Sequence, residues 1–175
     1  MWDFSQFSER TALICEQKCL SYRELAEIST EIASAIPSRA PVFLLARNSP
    51  AAIAGYVGFV QNGIVPVMID ATLDAGLLTA LRAAYRPCYA WVPAERAEEF
   101  QPSREVLRHD AYVLLDLEEK SPFPLHDDLA LLMTTSGSTG SPKLVRQSYE
   151  NLRANTASIA AYLHLDETER AVTNL

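Results

Sequence analysis

The chain has 175 residues, 49% of them apolar and 21% charged, a balance that fits one globular domain with a real core and excludes a disordered chain or a coiled coil. Fifteen basic against twenty-two acidic side chains give a net charge of −7. With no Lys/Arg-rich block, such a chain repels phosphate backbones, so nucleic acid is not an expected partner.

The chain opens as a hairpin. Ala12–Cys15 and Cys19–Leu20 are β-compatible, with Glu16, Gln17 and Lys18 between them. Ser21 and Glu24 then form a capping box, and Leu25, Ile28, Ile32 and Ile36 make one apolar stripe of a helix that Pro37 stops. Val42–Ala46 is a continuous apolar run, the mark of a strand covered on both faces. Ser49 and Pro50 start a second helix, in which Gly55 and Gly58 imply close approach to a neighbour and Gly63 marks the end. Ile64–Ile69 is the next buried strand, with Asp70 at its carboxyl end. Residues 50–69 carry no charge and are long enough to span a bilayer, but Gln61, Asn62, Gly63 and Pro66 interrupt them, so a helix followed by a strand is expected instead.

A third helix is predicted over residues 73–85, closed by Pro87. Cys88–Val92 comes next as a strand and Ala94–Phe100 as a short charged helix. Val106–Leu107 and Tyr112–Leu117 are weaker strands, residues 121–124 a stiff connector, and Leu129–Thr134 a further strand. Leu144 and Val145 are β-like. Ser148 caps a helix with Leu152, Ile159 and Leu163 on one side, residues 166–169 make a turn, and Ala171–Leu175 reads as a strand beginning. Strands and helices alternate over short links. The expected fold is therefore α/β, a mostly parallel sheet layered with helices, and ligands of such sheets bind beyond the carboxyl ends of the strands.

One segment concentrates chemistry. Thr134, Thr135, Ser136, Ser138 and Thr139 place five hydroxyls around Gly137 and Gly140, and Lys143 comes after Ser141 and Pro142. Glycines let backbone N–H groups approach an anion, hydroxyls donate to phosphate oxygens or ligate Mg²⁺, and a lysine supplies a mobile positive charge. The spacing is not that of a Walker A loop, which needs G-x-x-x-x-G-K-S/T opening straight into a helix. Composition alone leaves open an ordinary Gly/Ser/Thr surface loop.

The order of residues goes further. Residues 135–143 read T-S-G-S-T-G-S-P-K and closely resemble the phosphate-loop signature of the adenylate-forming superfamily, T/S-S-G-S/T-T-G-x-P-K-G. Leu144 stands where that pattern ends in glycine. Leu20–Ala26, Gly63–Asp70 and Asn151–Asn155 also resemble the family's first helix, its helix-to-strand passage and the helix after the phosphate loop. The resemblance covers nearly the whole chain and is closest to acyl-CoA synthetases and AMP-dependent ligases.

The resemblance implies an incomplete N-terminal adenylation domain over residues 1–175. It implies an ATP-dependent carboxylate–AMP ligase that makes an acyl-adenylate and pyrophosphate, then passes the acyl group to a coenzyme A or phosphopantetheine carrier-protein thiol. Thr135, Ser136, Gly137, Ser138, Thr139, Gly140 and Lys143 are the expected contacts to the ATP phosphates, with Thr135 also near Mg²⁺. A carboxylic acid is the expected substrate and an acyl carrier protein a candidate partner. The adenine pocket, the acidic Mg²⁺ ligand and the late catalytic lysine lie beyond Leu175 in the family. No catalytic residue is therefore expected here, and these 175 residues alone are expected not to form adenylate. A cut sheet should self-associate near Ala171–Leu175. The alternatives are a truncated, non-catalytic adenylation-like binding module, one half of a split enzyme, or an unrelated phosphate-binding α/β domain.

The other tempting residues have plainer readings. Cys15, Cys19 and Cys88 show no zinc spacing, there is no H-E-x-x-H, and Met1–Phe4 is no secretory leader, so free thiols in a reducing cytoplasm are expected. Asp70 is read as capping the next turn, Asp127 and Asp128 as a solvated turn, and Trp91 and Tyr112 as core aromatics. Arg146 is open between a phosphate contact and an exposed β position.

Overall fold

Ser21 begins the first helix as its spacing predicts. In the computed structural model, which describes residues 2–15, 18–119, 121–134 and 143–173, its hydroxyl accepts from the Glu24 N–H at 3.2 Å while the Glu24 carboxylate accepts from the Ser21 N–H at 2.8 Å. This capping box opens α1 (Tyr22–Ser34). Before it, β1 (Thr11–Cys15) and β2 (Lys18–Ser21) pair antiparallel as a separate two-stranded sheet. Lys18 belongs to β2, opposite Cys15, and not to the turn.

The main sheet has seven strands: β3 (Pro41–Ala46), β4 (Val65–Asp70), β5 (Tyr89–Pro93), β6 (Arg104–His109), β7 (Tyr112–Asp116), β8 (Leu129–Thr134) and β9 (Leu144–Ser148), in the order β6-β7-β5-β3-β4-β8-β9. The middle four, β5-β3-β4-β8, are parallel. Both flanks are antiparallel: β7 on β5, β6 on β7, and β9 on β8. Between β6 and β7 the connection is too short for a crossover helix. Only Asp110 and Ala111 separate β6 from β7, and Asp110 takes a positive φ of 48° to make that turn.

α2 (Pro50–Gln61) links β3 to β4, and α3 (Ala75–Tyr85) links β4 back past β3 to β5. Along β3 the side chains alternate between two apolar layers. Val42 and Leu44 pack with α1 and α2 around Ile32, Ala54, Phe59, Trp91 and Tyr112. Phe43 and Leu45 pack with α3 around Leu78, Leu81, Val92 and Phe100. At the amino ends of the strands, the Arg39 guanidinium donates to the carbonyls of Gly63, His126 (2.8 Å) and Leu129 (2.7 Å), tying the entrance of β4 to that of β8.

The close approaches expected at two glycines are present. A Cβ on Gly55 would lie 2.5 Å from the Trp91 ring, and one on Gly58 would overlap the Ser29 carbonyl. α2 spans only Pro50–Gln61 before β4 begins, and among the described residues no helix is long and apolar enough to cross a membrane. Ala94–Phe100 is a helix as expected, of the 3₁₀ type. In α4 (Tyr149–Tyr162) none of the residues is buried. One expectation needs correction. Ala171–Thr173 form no strand, so among the described residues the sheet's open edges are β6 and β9.

Candidate phosphate-binding edge

β8 enters the sheet through buried Ala130 and Leu131 and lies parallel to β4, with Val67 opposite Leu132 and Met68 opposite Met133. β4 is in turn parallel to β3, with Asp70 opposite Ala46. Thr134, Asp70 and Ala46 therefore finish their strands at one edge, the carboxyl edge. β9 returns antiparallel from the same place, with Leu144 opposite Thr134. The segment between them is a hairpin connection. It leads from the lysine into a strand, where a Walker A loop would open a helix, so that alternative fails on structure as well as on spacing.

Both ends of that connection are held. The Thr134 hydroxyl donates to the Met68 carbonyl of β4 at 3.3 Å. The Leu144 N–H donates to the Tyr85 hydroxyl at the end of α3, at 3.2 Å. Thr135, Ser136, Gly137, Ser138, Thr139 and Gly140, the expected phosphate contacts, lie outside the described residues. Lys143 is described and exposed.

The charges around this edge are unevenly committed. The Arg47 guanidinium, just past β3, meets the Glu95 carboxylate at 2.5 Å and lies over the Tyr112 ring, 5.4 Å from its centroid. The Glu95 carboxyl is held below its ordinary range, first by its own backbone N–H and then by Arg47. Arg96 donates to the Ala71 carbonyl at 2.6 Å and to both oxygens of Glu99. By contrast, no carboxylate among the described residues pairs with Lys143 or with Arg146, which stands exposed on β9. Among the described residues, then, the lysine at the end of β8 has no carboxylate partner and its charge is open to an anion.

The remaining candidates fall to their plainer roles. Asp70 accepts from the N–H and the hydroxyl of Thr72, each at 2.7 Å, and these bonds, the backbone one first, lower its pKa. It caps a turn, as expected. Asp127 and Asp128 are exposed in a turn, where the Asp128 N–H donates to His126 Nδ1 at 3.2 Å. Trp91 and Tyr112 are fully buried. Trp91 Nε1 donates to the Ala51 carbonyl at 2.9 Å and the Tyr112 hydroxyl to the Leu45 carbonyl at 2.8 Å. The three cysteines are free. Among the described residues, no group of three or more His, Cys, Asp or Glu is placed to hold a metal ion.

Sequence reasoning misses Tyr85 and the hydroxyl of Thr134 as anchors. Their partners are backbone groups 59 and 66 positions away. A periodicity marks which face of a helix is apolar, and it carries no information about such remote bonds. Asn48, just before the Ser49 cap, makes a third such bond: its amide donates to the Thr173 carbonyl at 3.3 Å, joining β3's exit to the chain after α4.

Comparison with known proteins gives a consistent frame. The family model described as "AMP-binding enzyme" matches residues 2–174. The D-alanine–D-alanyl carrier protein ligase of Staphylococcus epidermidis is 27% identical over 141 residues, covering 76% of this chain and 28% of that protein. The 3-hydroxybenzoate–CoA/4-hydroxybenzoate–CoA ligase of Thauera aromatica is 26% identical over 174 residues, covering 82% of this chain and 32% of that protein. The o-succinylbenzoate coenzyme A synthetase of Bacillus subtilis, solved with ATP and a magnesium ion, shares the fold at a TM-score of 0.72 and 20% identity. That match covers 95% of this chain and 47% of the solved one. The chain thus spans less than half the length of each of these relatives.

Proposed function

The chain belongs to the AMP-binding enzyme family, and on that footing we propose that it forms the triphosphate-binding part of a ligase that activates a carboxylic acid as its adenylate. In that reaction a carboxylate oxygen attacks the α-phosphorus of ATP. The bond from that phosphorus to the bridging oxygen breaks, and pyrophosphate leaves. A thiol of coenzyme A or of a carrier-protein pantetheine arm then displaces AMP from the acyl carbon. Residues 1–175 are proposed to hold the β- and γ-phosphates and to leave the remaining chemistry to other parts of the enzyme.

One observation carries the reading. The signature segment 135–143 joins β8 to β9 at the carboxyl edge of the parallel strands, the edge at which open α/β sheets receive ligands. Lys143 directly precedes β9 at that edge and is exposed, with no carboxylate to neutralise it among the described residues. Its ammonium would place positive charge against the leaving pyrophosphate, where charge accumulates as the reaction proceeds. Thr135, Ser136, Ser138 and Thr139 are proposed as hydroxyl donors to the phosphate oxygens, and Gly137 and Gly140 as the places where backbone N–H groups come close. A Mg²⁺ carried in on the triphosphate supplies charge neutralisation, and Thr135 is the hydroxyl proposed to touch it. We place the protein in the cytoplasm, a compartment that suits three cysteines free of disulfides.

The test is binding of MgATP by calorimetry, with and without Lys143. Lys143→Ala should weaken binding by about tenfold to a hundredfold, the worth of a charge-assisted contact. Unchanged binding would favour an alternative, a non-catalytic adenylation-like module that serves only for interaction. The apolar side chains left exposed on and after α4 (Ile159, Leu163, Leu165) speak for some covering partner in that case.

A further inference from the structure

The connection that carries Lys143 is held at its two ends by different elements. Its entrance is tied to β4, where the Thr134 hydroxyl meets the Met68 carbonyl. Its exit is tied to α3, where the Tyr85 hydroxyl accepts from the N–H of Leu144, the residue directly after Lys143. Tyr85 is the last residue of α3, and the next residue, Arg86, closes that helix in the left-handed region at φ 44°. The phenol thus stands on a terminated helix whose Leu78 and Leu81 are buried under the sheet.

Leu144 adds a second tie. Its side chain packs against the same apolar layer as Tyr85, Leu73 and Leu132. Glycine, the residue that ends the signature pattern, would offer the N–H but no side chain. Leucine here fixes the exit both by a hydrogen bond and by packing.

We infer that Tyr85 is a positioning residue for nucleotide binding: through the N–H of Leu144 it fixes the point from which Lys143 reaches the phosphates. This rests on the proposed role of Lys143. The physical reason is preorganisation. A lysine side chain loses much rotamer freedom when it grips an anion, and a backbone already held at its root leaves less to be ordered on binding. Tyr85 does this without touching the ligand.

A double-mutant cycle tests it with the full 175-residue chain. MgATP affinity is measured for the parent, Tyr85→Phe, Lys143→Ala and the double variant, together with amide hydrogen exchange at Leu144. Tyr85→Phe keeps the ring in the apolar layer and removes only the hydroxyl. It should weaken MgATP binding by about threefold to tenfold, the range of one net hydrogen bond, and speed exchange at Leu144. In the Lys143→Ala background it should have no further effect, because the side chain it positions is gone. A merely structural role would weaken both backgrounds equally, so independent, multiplying effects overturn the inference. So does parent-like affinity in Tyr85→Phe. If Lys143→Ala binds as the parent does, or the parent does not bind MgATP, the nucleotide reading itself has failed and the inference goes with it.

Discussion

α2 and α4 begin alike and end in opposite environments. Each starts on a serine whose hydroxyl accepts a backbone N–H of the first turn: Ser49 from Ala52 at 3.2 Å, and Ser148 from Asn151 at 3.0 Å. Beyond the cap they diverge. α2 is apolar on nearly every side and buries Ala51, Ala52, Ala54, Gly55, Val57, Gly58, Phe59 and Val60 between α1 and the sheet. α4 buries no residue, and Ile159 and Leu163 are 46% and 56% exposed. Among the described residues, Tyr149 ties its start to the rest. The Tyr149 N–H donates to the Asp128 carbonyl at 3.0 Å, and the Tyr149 hydroxyl to the Val60 carbonyl at 3.2 Å. The pair separates two things that usually travel together. Local signals decide where a helix starts, and burial decides how much the fold depends on it.

Steric substitution gives the largest contrast. Gly58 lets the α2 backbone come against the Ser29 carbonyl of α1, and a methyl group there has backbone, not a movable side chain, in its way. Gly58→Ala should therefore destabilise the protein by about 3 kcal/mol, against a helix-propensity gain of about 1 kcal/mol in its favour. Ala157→Val on exposed α4 meets no such wall and should change global stability by less than about 0.7 kcal/mol. Urea unfolding of both variants checks this. Equal effects would mean that α4 is packed as α2 is.

The same contrast explains what can be read from sequence. The interior of the fold is legible because burial leaves a pattern. Val42–Ala46 and Ile64–Ile69 are apolar without break, and they correspond to β3 and β4, covered on both faces. Gly55 and Gly58 in mid-helix announce close neighbours, since nothing else justifies glycine there. Residues 135–143 are legible as a family signature, in agreement with the family match over residues 2–174. The flanks are less so. The antiparallel return at β6–β7 turns on Asp110 and Ala111, with no glycine to mark it. The spacing puts Leu152, Ile159 and Leu163 on one side of their helix, and periodicity states only that a face is apolar, not that anything covers it. The tie from Tyr85 to Leu144 is invisible because it goes to a backbone N–H, which every residue type but proline has.

Removing the caps is a smaller perturbation that sharpens the comparison. α1 shares the buried layer with α2, and its box pairs Ser21 with Glu24. Ser21→Ala should lower global stability by about 1 kcal/mol, because α1 cannot fray without uncovering Leu25 and Ile32. Ser148→Ala removes the same kind of bond from α4 and should lower the stability of that helix by a similar amount of about 1 kcal/mol. Here the loss should appear as faster amide exchange within α4 while the global unfolding midpoint stays put. A global loss from Ser148→Ala would show that α4 unfolds with the core.

Acid distinguishes the two boxes most finely, because one titrates and the other does not. In α1 the Glu24 carboxylate accepts from the Ser21 N–H and hydroxyl, each at 2.8 Å. These bonds, the backbone one first, hold its pKa below the ordinary 4.5. In α4 the corresponding acceptor is the Asn151 side-chain carbonyl, 3.1 Å from the Ser148 N, which has no proton to gain in this range. A carboxyl whose folded pKa is depressed stabilises the fold fully above its unfolded pKa and loses that contribution as pH falls through the folded value. The α1 contribution should therefore be complete at neutral pH, begin to fade below the ordinary value of 4.5, and vanish once Glu24 is protonated in the folded chain. Amide shifts read this directly: the Ser21 N–H should titrate with a midpoint below 4.5, while the Ser148 N–H should show no step attributable to its own box. Glu24→Gln should flatten the Ser21 curve and leave that of Ser148 unaltered. A Ser21 midpoint at or above the ordinary value would mean that the carboxylate does not hold the cap in solution. α1 would then rest on burial and on the bond from the Glu24 N–H to the Ser21 hydroxyl.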